Sequence, residues 1–184
     1  PDGYDSDALS QLILPGKDIE GVHPHNIGMI AYGEHNPTPC AARAAVEIAR
    51  TAHSSLAGME TCVVGHGTLV GKPIAFLLLQ EKRTAPTPTI CHVATKDLAF
   101  HTKRADLLFV AVGKASLIHK EMVKPGATVI DIGINKGEDG NIVGDVSPDV
   151  ADVAGKITPV PGGVGPVTLA ILLKNVVDLA NQCR

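Results

Sequence analysis

The sequence predicts an α/β fold: a Rossmann-like parallel sheet with helices on both faces, plus a remnant of an N-terminal α/β domain. Three observations predict it. Beyond residue 58, short apolar runs rich in Val and Ile alternate with helical segments, the order of a parallel sheet covered on both faces. The first of these runs leads directly into a glycine-spaced turn and a helix. The later runs end in glycine, at the strand ends where open α/β sheets bind ligands.

Composition sets the outer limits. A chain of 184 residues that is 45% hydrophobic is an ordinary globular protein with one core or one domain and an appendage. The formal charge is -3, with no Trp, two Tyr and three Phe. With neither a basic cluster nor an aromatic platform, nucleic acid is not an expected partner. The apolar runs around Phe109 and Ile171 are shorter than a bilayer span, and the first residues show no charged segment followed by an apolar one. No membrane partner and a cytoplasmic location are therefore expected. Cys40, Cys62, Cys91 and Cys183 are scattered without ligand spacing, which predicts reduced, mostly buried thiols and no metal.

Residues 1–39 are punctuated by turn-formers, carry one helix-like piece over 6–14, and read as part of something larger. Residues 40–166 form the expected dinucleotide-binding domain, and 167–184 a final helix. The Ala-rich stretch 41–52 has high helix propensity, with Thr38 as its candidate cap, and Gly58 ends the connection. There follow a strand over 60–65, a helix over 71–79, a strand over 89–93 and a short helix over 97–104. A strand over 105–113, a small helix near Lys120 and a strand over 128–135 complete the series. Residues 157–175 then join a stiff turn to an apolar helix. Pro159, Pro161 and Pro166 fix φ, while Gly162, Gly163 and Gly165 keep side chains away from whatever approaches. Pro166 suits a first helical turn, whose free N–H groups would face a carbonyl, a planar heterocycle or an anion. A plain strand-to-helix connector is the other reading of the same residues.

Between the first strand and its helix, Gly65, His66, Gly67, Thr68, Leu69, Val70 and Gly71 form a Gly-x-Gly-x-x-x-Gly variant of the dinucleotide fingerprint. A turn at Gly65, backbone approach at Gly67 and helix packing at Gly71 would set a pyrophosphate at the helix N-terminus. The carboxylate that usually holds the ribose is missing. The next strand ends in Cys91, His92, Val93, Ala94 and Thr95, and the first carboxylate is Asp97. His92 and Thr95 are candidates for the ribose, and His66 or Lys96 for a 2′-phosphate, so NAD and NADP both remain open. His92 reads equally well as an ordinary strand-end histidine. Val112 and Gly113 end one later strand, and Gly133 and Ile134 another, where Gly133 would let a nicotinamide lie close. Asp131 reads as a structural group bonding the N–H groups of a neighbouring loop rather than as a catalyst, and Asp145 carries the same ambiguity.

The segments GHGTLVGKP, ADLLFVAVGK, KPGATVIDIGIN, GDV and ITPVPGGVGPVTLAILLKN occur here in a distinctive order and spacing. With KDIEGVHPHN from Lys17 to Asn26 and PTPC from Pro37, they resemble the methylenetetrahydrofolate dehydrogenase/cyclohydrolase family over nearly the whole chain. The resemblance implies oxidation of 5,10-methylenetetrahydrofolate with NAD or NADP, usually joined to hydrolysis giving 10-formyltetrahydrofolate. It also implies a two-domain clamp with the active site in its cleft, a tetrahydrofolate derivative as partner, and a homodimer formed through the cofactor domain. The cofactor positions it implies include Thr68, Val70 and Pro73 of GHGTLVGKP, and the PGGVGP turn becomes the folate wall.

Some positions depart from the family pattern. Glu20 stands where the family has an Asp gripping the pterin, and is one methylene longer. His66 replaces an Arg that can face the NADP 2′-phosphate, and Val93 replaces a common serine, which moves the expectation toward NAD or a degraded site. The family's Tyr-x-x-x-Lys pair has no counterpart, since neither Tyr4 nor Tyr32 is followed by lysine at that spacing. The chain is therefore expected to be the N-terminally truncated cofactor part of such an enzyme, without cyclohydrolase activity and with little or no dehydrogenase activity. A stand-alone dinucleotide-binding or inactive interaction module is the alternative. The final helix, apolar nearly all round, is expected to pack on the missing first domain or leave an apolar patch for a partner.

Overall fold

The computed structural model describes residues 5–33, 37–80, 83–137 and 139–182; Tyr4 and Cys183 lie outside them. Helix α1, Ser6–Gln11, is shorter than the expected 6–14. Pro15 holds Leu14 extended, and a single 3-10 turn, Pro15–Lys17, follows. Helix α2, Pro24–Ala31, was not anticipated. Its signal was present in Pro24 at the first helical position, and His23 caps it by accepting the His25 N–H at 3.0 Å.

Helix α3, Cys40–Ala52, buries Ala42, Ala45, Val46 and Ala49 as a stripe at helical spacing, and Cys40 and Ala44 besides. Thr38 does not cap it. Pro39 occupies the cap position without a side-chain bond, and the Thr38 hydroxyl is buried with no partner.

Strand β1, Glu60–Val64, leads to α4, Gly71–Leu79. Next come β2, Thr87–Cys91, and α5, Leu98–Thr102, capped by the Asp97 carboxylate. Strand β3, Leu107–Val110, passes through a 3-10 turn at Lys120–Met122 to β4, Thr128–Asp131. A two-stranded antiparallel ribbon of β5, Asn135–Lys136, and β6, Ile142–Val143, precedes β7, Lys156–Ile157, and α6, Val164–Gln182. The main sheet is parallel, in the order β2-β1-β3-β4-β7. Val63, Phe109 and Ile130 face the helical layer of α3 and α4, while Cys62, Val64, Leu108 and Val129 fill the opposite layer. The strand order reverses at β1, with β2 added on one side of it and β3 on the other, and this is the switch point beside which ligands bind in such sheets.

Several boundaries moved. Strand β2 lies two residues earlier than the expected 89–93, with Pro88 inside it, which an edge strand tolerates because one side makes no ladder bonds. His92 and Val93 consequently sit in the turn beyond it. The run expected over 128–135 stops at Asp131, and its continuation joins the ribbon. Helix α6 begins at Val164 rather than 167; Pro166 is accommodated because first-turn N–H groups have no partner within the helix.

Helix α6 packs Val167 and Ile171 on the α3 cluster. Its fully buried Asn175 donates to Ile19 O at 2.9 Å and Thr38 O at 3.3 Å, tying the helix to the N-terminal strip. Leu169, Leu173, Val176 and Val177 are exposed. At 19 residues α6 is long and apolar enough to cross a membrane, in contrast to the shorter span expected from the apolar run around Ile171. Its packing on α3, the buried Asn175 and the Lys174–Asp178 ion pair at 2.6 Å instead fit a helix lying on a folded domain.

Candidate functional site

The glycines of the first loop have different causes. A Cβ on Gly65, whose φ is +108, would lie 2.1 Å from Ala111 O, and one on Gly71 would lie 1.9 Å from Gly65 O. Both are therefore demanded by the protein's own packing. A Cβ on Gly67 would meet nothing within 4 Å. Lys72 N–H closes onto Gly67 O at 3.1 Å, and among the described residues the N–H groups from His66 to Gly71 bond to no protein acceptor. Bare backbone and free donors at the start of α4 fit a pyrophosphate. Thr68 is exposed, Val70 is half-buried, and Pro73 is buried at the third position of α4.

Beside this loop the ends of β1 and β2 bring His66 and His92 together, with ring centroids 4.8 Å apart and planes tilted by 49°. Both are exposed, and Val93 projects fully into solvent. Thr95 Oγ1 accepts the His92 N–H at 2.8 Å, so this hydroxyl is already part of the turn. Asp97 is turned to α5, accepting from Phe100 N–H at 3.1 Å.

Two buried carboxylates fix the strand ends below. Asp131 Oδ1 accepts from Gly133 N–H and Asp145 N–H at 2.9 and 3.0 Å, and its Oδ2 from Val146 N–H at 3.0 Å. Asp145 Oδ2 accepts from Val112 and Gly113 N–H at 2.7 and 3.0 Å, and its Oδ1 from Lys114 N–H and the Asn135 amide, both at 2.8 Å. The structural reading of Asp131 matches these bonds, and Asp145 plays the same part. Burial pushes the Asp131 carboxyl up, against the donated N–H groups that favour its charged form. The Val112 and Gly113 N–H groups are committed to this floor. A Cβ on Gly133 would lie 2.2 Å from Asp145 Cγ, so the carboxylate itself requires that glycine.

Next to Asp131 opens a cavity of about 670 Å3, lined also by Val70, Gly133, Ile134, Ile142 and residues 159–166. Its lining is dominated by apolar groups and backbone. The turn holds a cis Val160–Pro161 peptide. Cβ positions on Gly162 and Gly165 are open, whereas a Cβ on Gly163 would lie 2.5 Å from Pro159 O. Pro161 and Pro166 line the cavity too. Ile142 escaped the sequence reading because it reaches the wall only through the ribbon. Glu20 is exposed and does not line the cavity; its carboxylate faces the Cys40 thiol, which burial first and Glu20 second push up to about 12. Cys40, Cys62 and Cys91 are free and buried, and burial raises all three thiols. Among the described residues no group of His, Cys, Asp and Glu is arranged to hold a metal.

Residues 39–184 match the model of the tetrahydrofolate dehydrogenase/cyclohydrolase NAD(P)-binding domain. The chain is 55% identical over 180 residues to the bifunctional protein FolD 2 of Mesorhizobium japonicum, covering 95% of this chain and 58% of that protein. Its fold matches the bifunctional FolD methylenetetrahydrofolate dehydrogenase/cyclohydrolase of Campylobacter jejuni with a TM-score of 0.93 and 39% identity, over 100% of this chain and 65% of that one. The Trypanosoma brucei enzyme, solved with NADP and an inhibitor, matches with a TM-score of 0.89 and 38% identity, over 100% of this chain and 64% of that one. The chain spans about three fifths of the length of the curated relatives it matches.

Proposed function

The chain belongs to the tetrahydrofolate dehydrogenase/cyclohydrolase family and contains its NAD(P)-binding domain, and we propose that it serves as the cofactor half of an enzyme oxidising 5,10-methylenetetrahydrofolate. One observation carries this reading: the bare Gly67 loop with its unbonded N–H groups lies beside an apolar cavity closed by the PGGVGP turn. NAD or NADP, when bound, supplies the hydride acceptor. The loop from Gly65 to Gly71 holds the pyrophosphate, and His66, His92 and Thr95 flank the ribose. Gly133, Ile134 and the turn from Pro161 to Pro166 hold the nicotinamide and the folate in a mostly apolar space, where the protein's contribution is positioning. Hydride transfer asks no strong base of these residues.

Cyclohydrolysis does need proton transfer, and no Tyr-x-x-x-Lys pair occurs in residues 1–184. These residues by themselves therefore bind cofactor but do not perform that step. The exposed row of Leu169, Leu173 and Val177 supports a covering surface, which we assign to the first domain of the two-domain clamp or to a second copy of this chain. Glu20 on the N-terminal strip is the weak candidate for folate contact. We assign the protein to the cytoplasm.

Calorimetric titration with NAD and with NADP tests the reading. Saturable binding of at least one is expected, and Gly67→Val should weaken it by about tenfold or more, because a side chain there occupies the approach to the free N–H groups. Failure of both dinucleotides to bind would overturn it.

A further inference from the structure

The His66–His92 contact asks for an explanation that ordinary packing does not supply. His66 directly follows Gly65 at the end of β1, and His92 directly follows Cys91 at the end of β2. Val64 pairs with Cys91, and beyond this last pair the turn at Gly65, whose φ is +108, and the turn after Cys91 bring the two rings together, 4.8 Å apart and exposed. In a dinucleotide fold the end of the second strand flanks the ribose hydroxyls, beside the loop that carries the pyrophosphate.

The two rings are held differently. Ala94 N–H donates to His92 Nδ1 at 3.2 Å, which puts the proton of neutral His92 on Nε2. Among the described residues His66 has no hydrogen bond to protein, leaving both its nitrogens available. The charged groups on the packed elements are few. Lys72 on α4 and Lys96 on the β2 turn are exposed, Asp97 is engaged with Phe100 N–H, and among the described residues no carboxylate pairs with either imidazole.

We propose that His66 and His92 form a proton-operated selector that admits the 2′-phosphate of NADP when the pair carries one proton and loses that preference when it carries none. This rests on the dinucleotide reading above. Histidine changes charge between about pH 5 and 8, whereas an arginine stays charged throughout. The selector needs one proton on the pair. His66 receives it and gives a charge-assisted bond to a phosphate oxygen, while His92 donates a neutral N–H from Nε2. NAD has no 2′-phosphate, so its binding draws no such proton from solvent.

Calorimetry on the full chain with NAD and NADP, at about pH 6.5 and pH 8.5 and in two buffers of different ionisation enthalpy, reads both affinity and proton uptake. The range stays above about pH 6, where a phosphate monoester itself begins to lose charge. NADP is expected to bind about tenfold more tightly at the lower pH, with proton uptake on binding, while NAD shows neither effect. His66→Gln should abolish the uptake and flatten the NADP slope, and His66→Arg should give NADP binding that is tight at both pH values. His66 is exposed and, among the described residues, makes no hydrogen bond to protein, so neither change threatens the fold. Equal pH dependence for the two dinucleotides, or uptake that persists in His66→Gln, would overturn the selector and leave the dinucleotide site standing. Binding of neither dinucleotide would overturn both.

Discussion

Two pairs of side chains gather at the C-terminal edge of the parallel sheet, and the protein uses them in opposite ways. Asp131 and Asp145 are 3% and 0% exposed, and their oxygens accept from six backbone N–H groups and one side-chain amide. His66 and His92 lie at the neighbouring strand ends, in solvent, with nitrogens to spare. Burying a charge is costly unless hydrogen bonds compensate it, so the aspartates persist only as a saturated floor. The histidines meet no such demand. Within one crevice, saturation marks architecture and leftover bonding capacity marks the face offered to a ligand.

The largest effect should come from emptying the floor. Asp145→Ala leaves the Val112, Gly113 and Lys114 N–H groups without an acceptor, and should lower unfolding free energy by about 3–5 kcal/mol in denaturant titration. Wild-type stability in that variant would erase the distinction between the two pairs. The glycines sharpen it next. Gly71→Ala drives a methyl into Gly65 O and should cost about 1–3 kcal/mol, whereas Gly67→Ala, with open space around its Cβ, should stay within about 0.5 kcal/mol.

Acid titration gives the smallest effects, with opposite signs. Lys124, 2.5 Å from Asp106, holds that carboxyl below its ordinary value, so its stabilisation is present above the ordinary carboxylate range and is lost as pH falls through the folded-state value. Asp106→Asn should remove this loss, and the change should be small, because both partners are more than one-third exposed. Asp131 is shifted upward by burial, so its contribution is greatest below the ordinary range and declines as pH rises through the folded value. Comparing the pH dependence of unfolding in Asp131→Asn and in wild type should reveal that reversed slope.

Elements with strong local signals were legible in the sequence. Helix α4 has the expected bounds because a glycine loop opens it and an unbroken apolar stretch fills it. Strand β2 slipped by two residues because Pro88 argues against a strand unless its edge position is known, and edge position is a property of the sheet. Strand β7 and the ribbon are two residues per strand, too short to carry any period. The same logic separates the site residues. Asp131 announced its structural role through its place at an apolar strand end, but the meeting of His66 with His92 depends on the pairing of two strands, and that of Ile142 with the turn on a ribbon. Spacing along the chain contains neither. The opposite causes of Gly65 and Gly67 were likewise hidden, since both are glycines in one motif and differ only in what stands opposite them.

The bonds from Asn175 to Ile19 and Thr38 join residues separated by 156 and 137 positions. Such a clasp closes late, since distant contacts are reached only after the entropy of a long loop has been overcome. During synthesis the strip around residues 19–38 leaves the ribosome well before its partner exists. It must wait, with its carbonyls on water, until α6 has been made and docked on α3. The strip that holds Ile19 and Thr38 is thus made before α6 and is among the last segments to find its place.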